Sequence, residues 1–347
     1  METRKKSSTL QDVARKAGVS RDTVSVVLNG SRSNTRVSEA TRASVLHAAR
    51  ELNYHPNAMA RGLVRRRVNT LGVLFGQVRL PIVEGEFATR LLQGITRAAG
   101  EADYNITLFT RLWEDATRSL SYVQDRRTDG VIVVTPPRDS EVLVSLAASG
   151  LPVVVVDWPI AGVSAPFVYP DDATGGRMVA EHLLALGHRR VAFIMGGHRK
   201  GGGPVRREAF IETICAAGGE VPPELRSDKR TREAETDEVI RRMLSLPEPP
   251  TAIFAGNDST AVRVLQVAAG MGITVPEQLS VVGCYNFRWV EWASPALTTL
   301  NQPLETVGAM AARLLIERIE GKIVANEPHL VAPSLIVRGS TAACLQK

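Results

Sequence analysis

Cysteine is scarce in this chain. Three thiols, Cys215, Cys284 and Cys344, lie far apart among 347 residues. They form no C-x-x-C pair and their number is odd, which excludes a disulfide framework. They read as reduced structural thiols of a cytoplasmic protein. Long apolar runs are missing as well. No stretch of about 18 residues suits a membrane span, so no membrane partner is expected. The opening METRKKSSTL has no apolar region of the kind a signal peptide needs. Histidine is sparse, and the six present are scattered. There is no H-E-x-x-H, no G-x-S-x-G elbow, no P-loop and no dinucleotide fingerprint. An enzyme is therefore not expected, nor a metal or a cofactor. His182 and His188 lie six apart on one helix–turn segment and read as structural.

What is present is an ordinary soluble composition, 44% hydrophobic and 22% charged, with length enough for two or three domains. The formal net charge of +6 is unevenly spread. Residues 1–69 hold 14 Lys and Arg against 5 Asp and Glu, a net +9. The remaining 278 residues net −3. A basic head on a mildly acidic body is what contact with a polyanion at one end requires, although a solvated basic face gives the same count.

The head carries helical patterning. In LQDVARKAGVSRDTVSVVLNG, residues 10–30, Leu10, Val13, Ala14 and Ala17 recur at helical spacing, and so do Val24, Val27 and Leu28. Gly18 stands where the first helix must stop, and Ser20 is a suitable N-cap for the second. A third stripe, Ala40, Ala43, Val45, Leu46, Ala49 and Leu52, follows Ser38 as its cap. Three short helices make a helix-turn-helix unit by pattern. The second helix would enter the major groove with Arg21, Asp22, Ser25, Val26 and Asn29 outermost. Arg21 suits guanine, Asn29 adenine or phosphate, and Val26 a thymine methyl; Asp22 suits cytosine or its own helix N-terminus. A three-helix unit with no nucleic-acid role fits the same pattern.

From Thr70 the texture changes. LGVLF, NITLF, DGVIVV and LPVVVVD are short Val- and Ile-rich runs separated by helical stretches, and RRVAFIMG, TAIFAGND and LSVVGCYN repeat the alternation. This predicts two α/β subdomains with parallel sheets, and a ligand at the carboxyl ends of the strands, between the lobes. Asp157, Asn257 and Asp258 end strands there, Arg206 lies early in the helix after a glycine run, and Gln302 lies at a lobe crossing. An Asp, an Arg and an Asn together suit vicinal hydroxyls. Asp258 is expected to be a helix N-cap, and Asp157 could instead cap a crossing. Trp289 and Trp292 are expected to pack the loop before PALTT.

Residues 10–30, with VSEATRASVLHAARELNYHPNAMARGL at 37–63, closely resemble the LacI/GalR family of bacterial transcription regulators. DGVIVV, EHLLALGHRRVAFIMG, FAGND, VPEQLSVVG and PALTTLNQP extend the resemblance over nearly the whole chain. It implies an α+α/β multidomain protein: a helix-turn-helix domain at 1–56, a hinge helix and linker at 57–69, and a two-lobed periplasmic-binding-protein-like effector-binding core at 70–347. Crossings are expected near Val168, Leu300 and His329, giving lobes of about 70–168 with 301–328 and about 169–300 with 329–347. The implied function is a sequence-specific regulator, a repressor, binding a pseudo-palindromic double-stranded operator as a homodimer. A solute-binding protein of a transport system is the alternative.

On the DNA side the resemblance adds Ser20 and Thr23 at the helix start, and Asn57, Arg61 and Leu63 in the hinge, with Leu63 wedging a base step. Gly62 inside the hinge predicts a segment that orders only with DNA and the partner subunit. Arg61, Arg65, Arg66 and Arg67 would serve phosphates. On the effector side it matches Asp157, Arg206 and Asn257 to contact positions, with Gln302 and Tyr285 beside them. The family's acidic G-F-D-D stretch reads Gly283, Cys284, Tyr285, Asn286 here, and Val26 stands where the family often has Arg. Lys229 and Arg230, and His198, Arg199 and Lys200 beside three glycines, suggest a carbohydrate-like effector that is anionic; a solvated glycine-rich loop fits them too. Only TAACLQK follows Ser340, too short for a tetramerising bundle.

Overall fold

In the computed structural model, residues 8–29, 37–55, 67–76, 85–110, 116–137, 141–196, 202–227 and 233–345 are described, apart from the side chains of 29, 116–118 and 233–234.

Local chemistry sets the head. Helix α1 (Leu10–Ala17) starts at a reciprocal cap, in which the Thr9 hydroxyl accepts from the Asp12 amide and the Asp12 carboxylate accepts from the Thr9 amide. It ends at Gly18, whose φ of +66° is the left-handed turn glycine supplies without strain. Helix α2 (Arg21–Asn29) is capped by Ser20, whose Oγ accepts the Thr23 amide at 3.1 Å, and α3 (Glu39–Glu51) by Ser38 through the Thr41 amide at 3.2 Å. Their core is Val13, Ala14, Val24, Val27, Val45, Ala48 and Ala49. The expected stripe on α3 is corrected here. Ala40, Ala43 and Leu46 are exposed, and Ala48 is buried in their place. Apolar residues lie on two faces of α3, and α1 and α2 reach only the face of Val45, Ala48, Ala49 and Leu52.

The chain re-enters the body fastened. The Asp129 carboxylate accepts the amides of Val68 and Thr70, and Arg67 Nη2 donates to the Ile319 carbonyl at 2.7 Å. The first lobe follows as β1 (Thr70–Phe75), α4 (Glu86–Glu101), β2 (Asn105–Phe109), α5 (Ala116–Val123), β3 (Gly130–Val134), α6 (Glu141–Ala148), β4 (Val153–Val156) and β5 (Phe167–Pro170). The second holds α7 (Asp172–Ala185), β6 (Val191–Ile194), α8 (Gly202–Ala216), β7 (Arg226–Ser227), α9 (Glu233–Leu244), β8 (Ala252–Ala255), α10 (Asp258–Gly270), β9 (Ser280–Cys284) and β10 (Thr298–Asn301). Then α11 (Leu304–Ile319) and β11 (Pro328–Val331) return to the first, and β12 (Ser334–Ile336) to the second.

The sheets run β11-β5-β4-β3-β1-β2 and β12-β10-β9-β8-β6-β7, parallel throughout except for β12. Helices cover both faces, so β3 and β4 are buried along their whole length, which is why, apart from Gly130, they read as valine and isoleucine. The chain changes sheet at Asp171, at Gln302–Pro303 and at Ala332–Pro333, two to four residues after the expected points. Val168, Leu300 and His329 are still inside strands whose ladders run on to Pro170, Asn301 and Val331.

Each sheet reverses its order between its first and third strands, and glycine permits the approach there. A Cβ on Gly76, just past β1, would meet Pro136 Cα at 2.5 Å, and one on Gly196, just past β6, would meet Asn257 Cγ at 2.5 Å. Helices α4 and α11 also touch backbone to backbone, because Gly94 lies against the Glu305 carbonyl and Gly308 against that of Leu91.

Candidate functional site

Two surfaces carry polar chemistry without a purely structural use. The first is the outer face of α2. Val24 and Val27 point into the head's core, which turns Arg21 and Asp22 to solvent and leaves Thr23, Ser25 and Val26 half-buried. Ser20 and Thr23 are partly committed, their hydroxyls lying 2.9 Å apart at the cap. Asn57, Arg61, Leu63 and the Asn29 side chain lie outside the described residues, as do His198, Arg199, Lys200, Lys229 and Arg230.

The second is the cleft at the carboxyl ends of both sheets, where ligands sit in open α/β folds. Its centre is Asp172, on the first turn of α7 and buried. Its Oδ1 accepts from Arg206 Nη1 and from Gln302 Nε2, the latter at 3.0 Å, and its Oδ2 from the Trp158 indole at 3.3 Å. Arg206, also buried, donates its Nη2 to the Gly256 carbonyl at 3.0 Å and lies over the Tyr285 ring at 5.9 Å. Gln302 reaches the Cys284 sulfur at 3.8 Å. Arg206, Gln302 and Tyr285 are thus gathered from three distant segments. Asn257 joins them through the neighbouring Gly256, and Asp157 through the neighbouring Trp158, whose amide it accepts at 2.6 Å.

Electrostatics fix the charge states. Burial pushes the Cys284 thiol and the Tyr285 phenol each up to about 12, so both are neutral. Burial pulls Arg206 the other way, but the Asp172 carboxylate against its Nη1 offsets this and keeps the guanidinium above its ordinary value. The Arg206 charge is matched inside the cluster by Asp172. Two buried atoms keep unused capacity: Arg206 Nε, a donor, and Gln302 Oε1, an acceptor, have no partner among the described residues.

Three expectations change here. Asp258 is not the N-cap of α10. Asn257 is, its Oδ1 accepting the Thr260 amide at 2.7 Å, and its cap role leaves Nδ2 for the cleft. Asp258 is instead a fully buried strut, accepting Thr299 Oγ1 at 2.6 Å and the Phe287 amide at 2.9 Å. Asp157 does not cap a crossing; Asp171 does, through the Thr174 amide at 3.0 Å. Trp289 packs against the second lobe's core as expected, but Trp292 is 82% exposed. Asp172 and Cys284 were not anticipated as site residues. The doubled aspartate after β5 was the available signal, one residue capping and the next buried.

The family model for bacterial regulatory proteins of the lacI family matches residues 9–57, and that for a periplasmic binding protein-like domain matches residues 180–341. The HTH-type transcriptional regulator CelR of Thermobifida fusca is 33% identical over 341 residues, 97% of this chain and 99% of its own. The chain belongs to the LacI family of bacterial regulatory proteins. Like other members it is a DNA-binding transcription regulator, not an enzyme. The ribose operon repressor of Escherichia coli (strain K12) is 31% identical over 339 residues, 96% of this chain and 99% of its own. Among solved structures, a CelR–cellobiose complex superposes with a TM-score of 0.71 at 31% identity, over 96% of this chain and 99% of that one. The lac repressor dimer bound to operator and the anti-inducer ONPF gives 0.80 at 24% identity, over 97% and 100%, a likeness of fold. Among the described residues no helix of this LacI-family chain is long and apolar enough to cross a membrane.

Proposed function

We propose that this LacI-family regulator works in the cytoplasm as a homodimeric repressor whose affinity for a pseudo-palindromic operator is set by a neutral, carbohydrate-like effector in the cleft. On the DNA side, the outer face of α2, with Arg21 and Asp22 exposed and Ser25 and Val26 half-buried, supports readout by these four, and Asn29 follows from the family resemblance. Asn57, Arg61 and Leu63 complete the contact from the hinge segment. Two heads imply inverted half-sites spaced by about one or more helical turns, roughly 34–36 Å each.

The observation that carries the effector assignment is the pair of unused polar atoms. Hydroxyls can donate to Gln302 Oε1 and accept from Arg206 Nε, whereas an ionised carboxylate cannot donate. Asp157 and the Asn257 amide suit further hydroxyls, and Tyr285, sandwiched between Arg206 and Phe287, holds the guanidinium in place. With Asp172 already matching Arg206, the described cluster has no net positive charge to recommend an anion. The names of two relatives, a cellobiose complex and a ribose operon repressor, agree with this class.

A thermal-shift series on the full-length protein with cellobiose, ribose, their phosphates and the matching sugar acids tests it, since a ligand that binds only the folded state raises the melting temperature. Neutral sugars should raise it, and Arg206→Ala and Gln302→Ala should abolish the rise. A rise with anions alone would move the assignment to the basic residues 198–200 and 229–230. For the DNA side, duplexes enriched from a randomised pool should carry an inverted repeat, and Arg21→Ala should relax selection at one symmetric base pair at a cost of about 1–3 kcal/mol.

A further inference from the structure

One end of α4 grips the opposite lobe. Arg90, in the first lobe, donates Nη1 to the carbonyls of Tyr285 at 3.0 Å and Asn286 at 3.3 Å, and Nη2 to Asn301 Oδ1 at 3.5 Å. One turn earlier, Glu86 Oε1 accepts the Arg288 amide at 2.8 Å, and Phe87 meets the Tyr285 ring edge-on at 6.2 Å. The gripped loop is held in an unusual conformation. Tyr285 has φ +102° and Asn286 φ +54°, and such non-glycine geometry persists only where the surroundings over-determine it. The same Tyr285 covers Arg206 in the cleft.

The other end of the same rigid unit holds the head's linker. Glycine contacts lock α4 to α11 at Gly94 and Gly308, and Arg90 Nε also lies 3.8 Å from Glu305 on α11. Helix α11 begins two residues after Gln302 and runs 16 residues, about 24 Å, to Ile319, whose carbonyl takes the Arg67 guanidinium. Arg67 belongs to the segment that joins the head to the body.

We propose that Arg90 is a positioning residue that makes occupancy of the cleft felt at the head. It clasps the loop 285–288, and the α4–α11 pair carries a change in that clasp to Arg67. This deepens the regulator reading above and rests on it.

Hydrogen exchange on the full-length protein, without DNA or sugar, tests the clasp. Arg90→Ala and Glu86→Ala should each speed exchange across 285–290. Arg313→Ala, which removes an exposed pair with Glu101 between the same two helices, should not. Unchanged exchange in both clasp variants overturns the proposal. Affinity for a duplex that the wild-type protein enriches from a randomised pool tests the route. Arg90→Ala and Glu86→Ala should shift it in the same direction by at least about fivefold, a usual size for coupling between sites. The effects of Arg90→Ala and Arg67→Ala should also fail to multiply, although distant independent sites ordinarily add in free energy. Faster exchange with wild-type affinity, or effects that simply multiply, overturns the route and reduces Arg90 to packing. A wild-type protein that enriches no duplex overturns the regulator reading itself, and the exchange arm still decides whether the clasp exists.

Discussion

Asp258 is fully buried at the start of α10, and burial raises its carboxyl to about 7 despite hydrogen bonds from Thr299, Phe287 and Cys284. In the unfolded chain the same group titrates near about 4. Between those values the folded state holds the extra proton. The stabilisation this gives is complete below about pH 4 and is lost as pH rises through about 7. Asp258→Asn should therefore flatten the fall in melting temperature between pH 5 and 8, as read by calorimetry. His182 and His188 act with the opposite sign. Burial lowers both, so they contribute above the ordinary histidine range and lose that contribution on acidification. Arg206 raises a different issue, because removing it strands Asp172 as a buried charge. Arg206→Ala should cost about 3–5 kcal/mol in denaturant unfolding, and Arg206→Ala with Asp172→Asn markedly less. A double variant as unstable as the single one would show that Asp172 is not the partner that matters.

At the scale of elements, α4 contains its own control experiment. Gly94 has the α11 backbone against it, whereas a Cβ on Gly100 would meet nothing within 4 Å. Gly94→Ala should push the two helices apart and lower the melting temperature by several degrees. Gly100→Ala should raise stability by up to about 1 kcal/mol through helix propensity alone. Other elements show what was legible beforehand. Helical periodicity marked α1 and α2, and runs of valine and isoleucine marked β3 and β4, because in each case one face or both faces meet a single core. Helix α3 misled, since Ala40, Ala43 and Leu46 repeat every three residues on a face that is exposed among the described residues. The cleft was half legible: strand-end residues such as Asn257 can be read from local pattern, but the Asp172–Gln302 bond joins residues 130 apart in sequence. No local signal marks which of two adjacent aspartates will be buried.

For the whole molecule the decisive asymmetry is charge, +9 over residues 1–69 and −3 over the rest. A head that neutralises phosphates releases their counterions, so operator affinity should fall steeply with salt. A dimer making six to ten phosphate contacts should lose roughly 10³–10⁵ in affinity between 50 and 200 mM salt. Sugar binding in the cleft should be nearly indifferent to the same change. Equal salt slopes for the two ligands would contradict the assignment of separate sites. The indole of Trp158 adds a built-in optical signal. It is hydrogen-bonded to Asp172 and its ring centroid lies 4.6 Å from that of Tyr169, directly beside the polar cluster, whereas Trp292 stands 82% exposed far along the chain. Any molecule that draws on the Asp172 carboxylate changes the field across that indole. Filling of the cleft should therefore alter the colour and yield of the protein's own ultraviolet emission, over a background from Trp113, Trp289 and Trp292, and the regulator can be titrated without a dye.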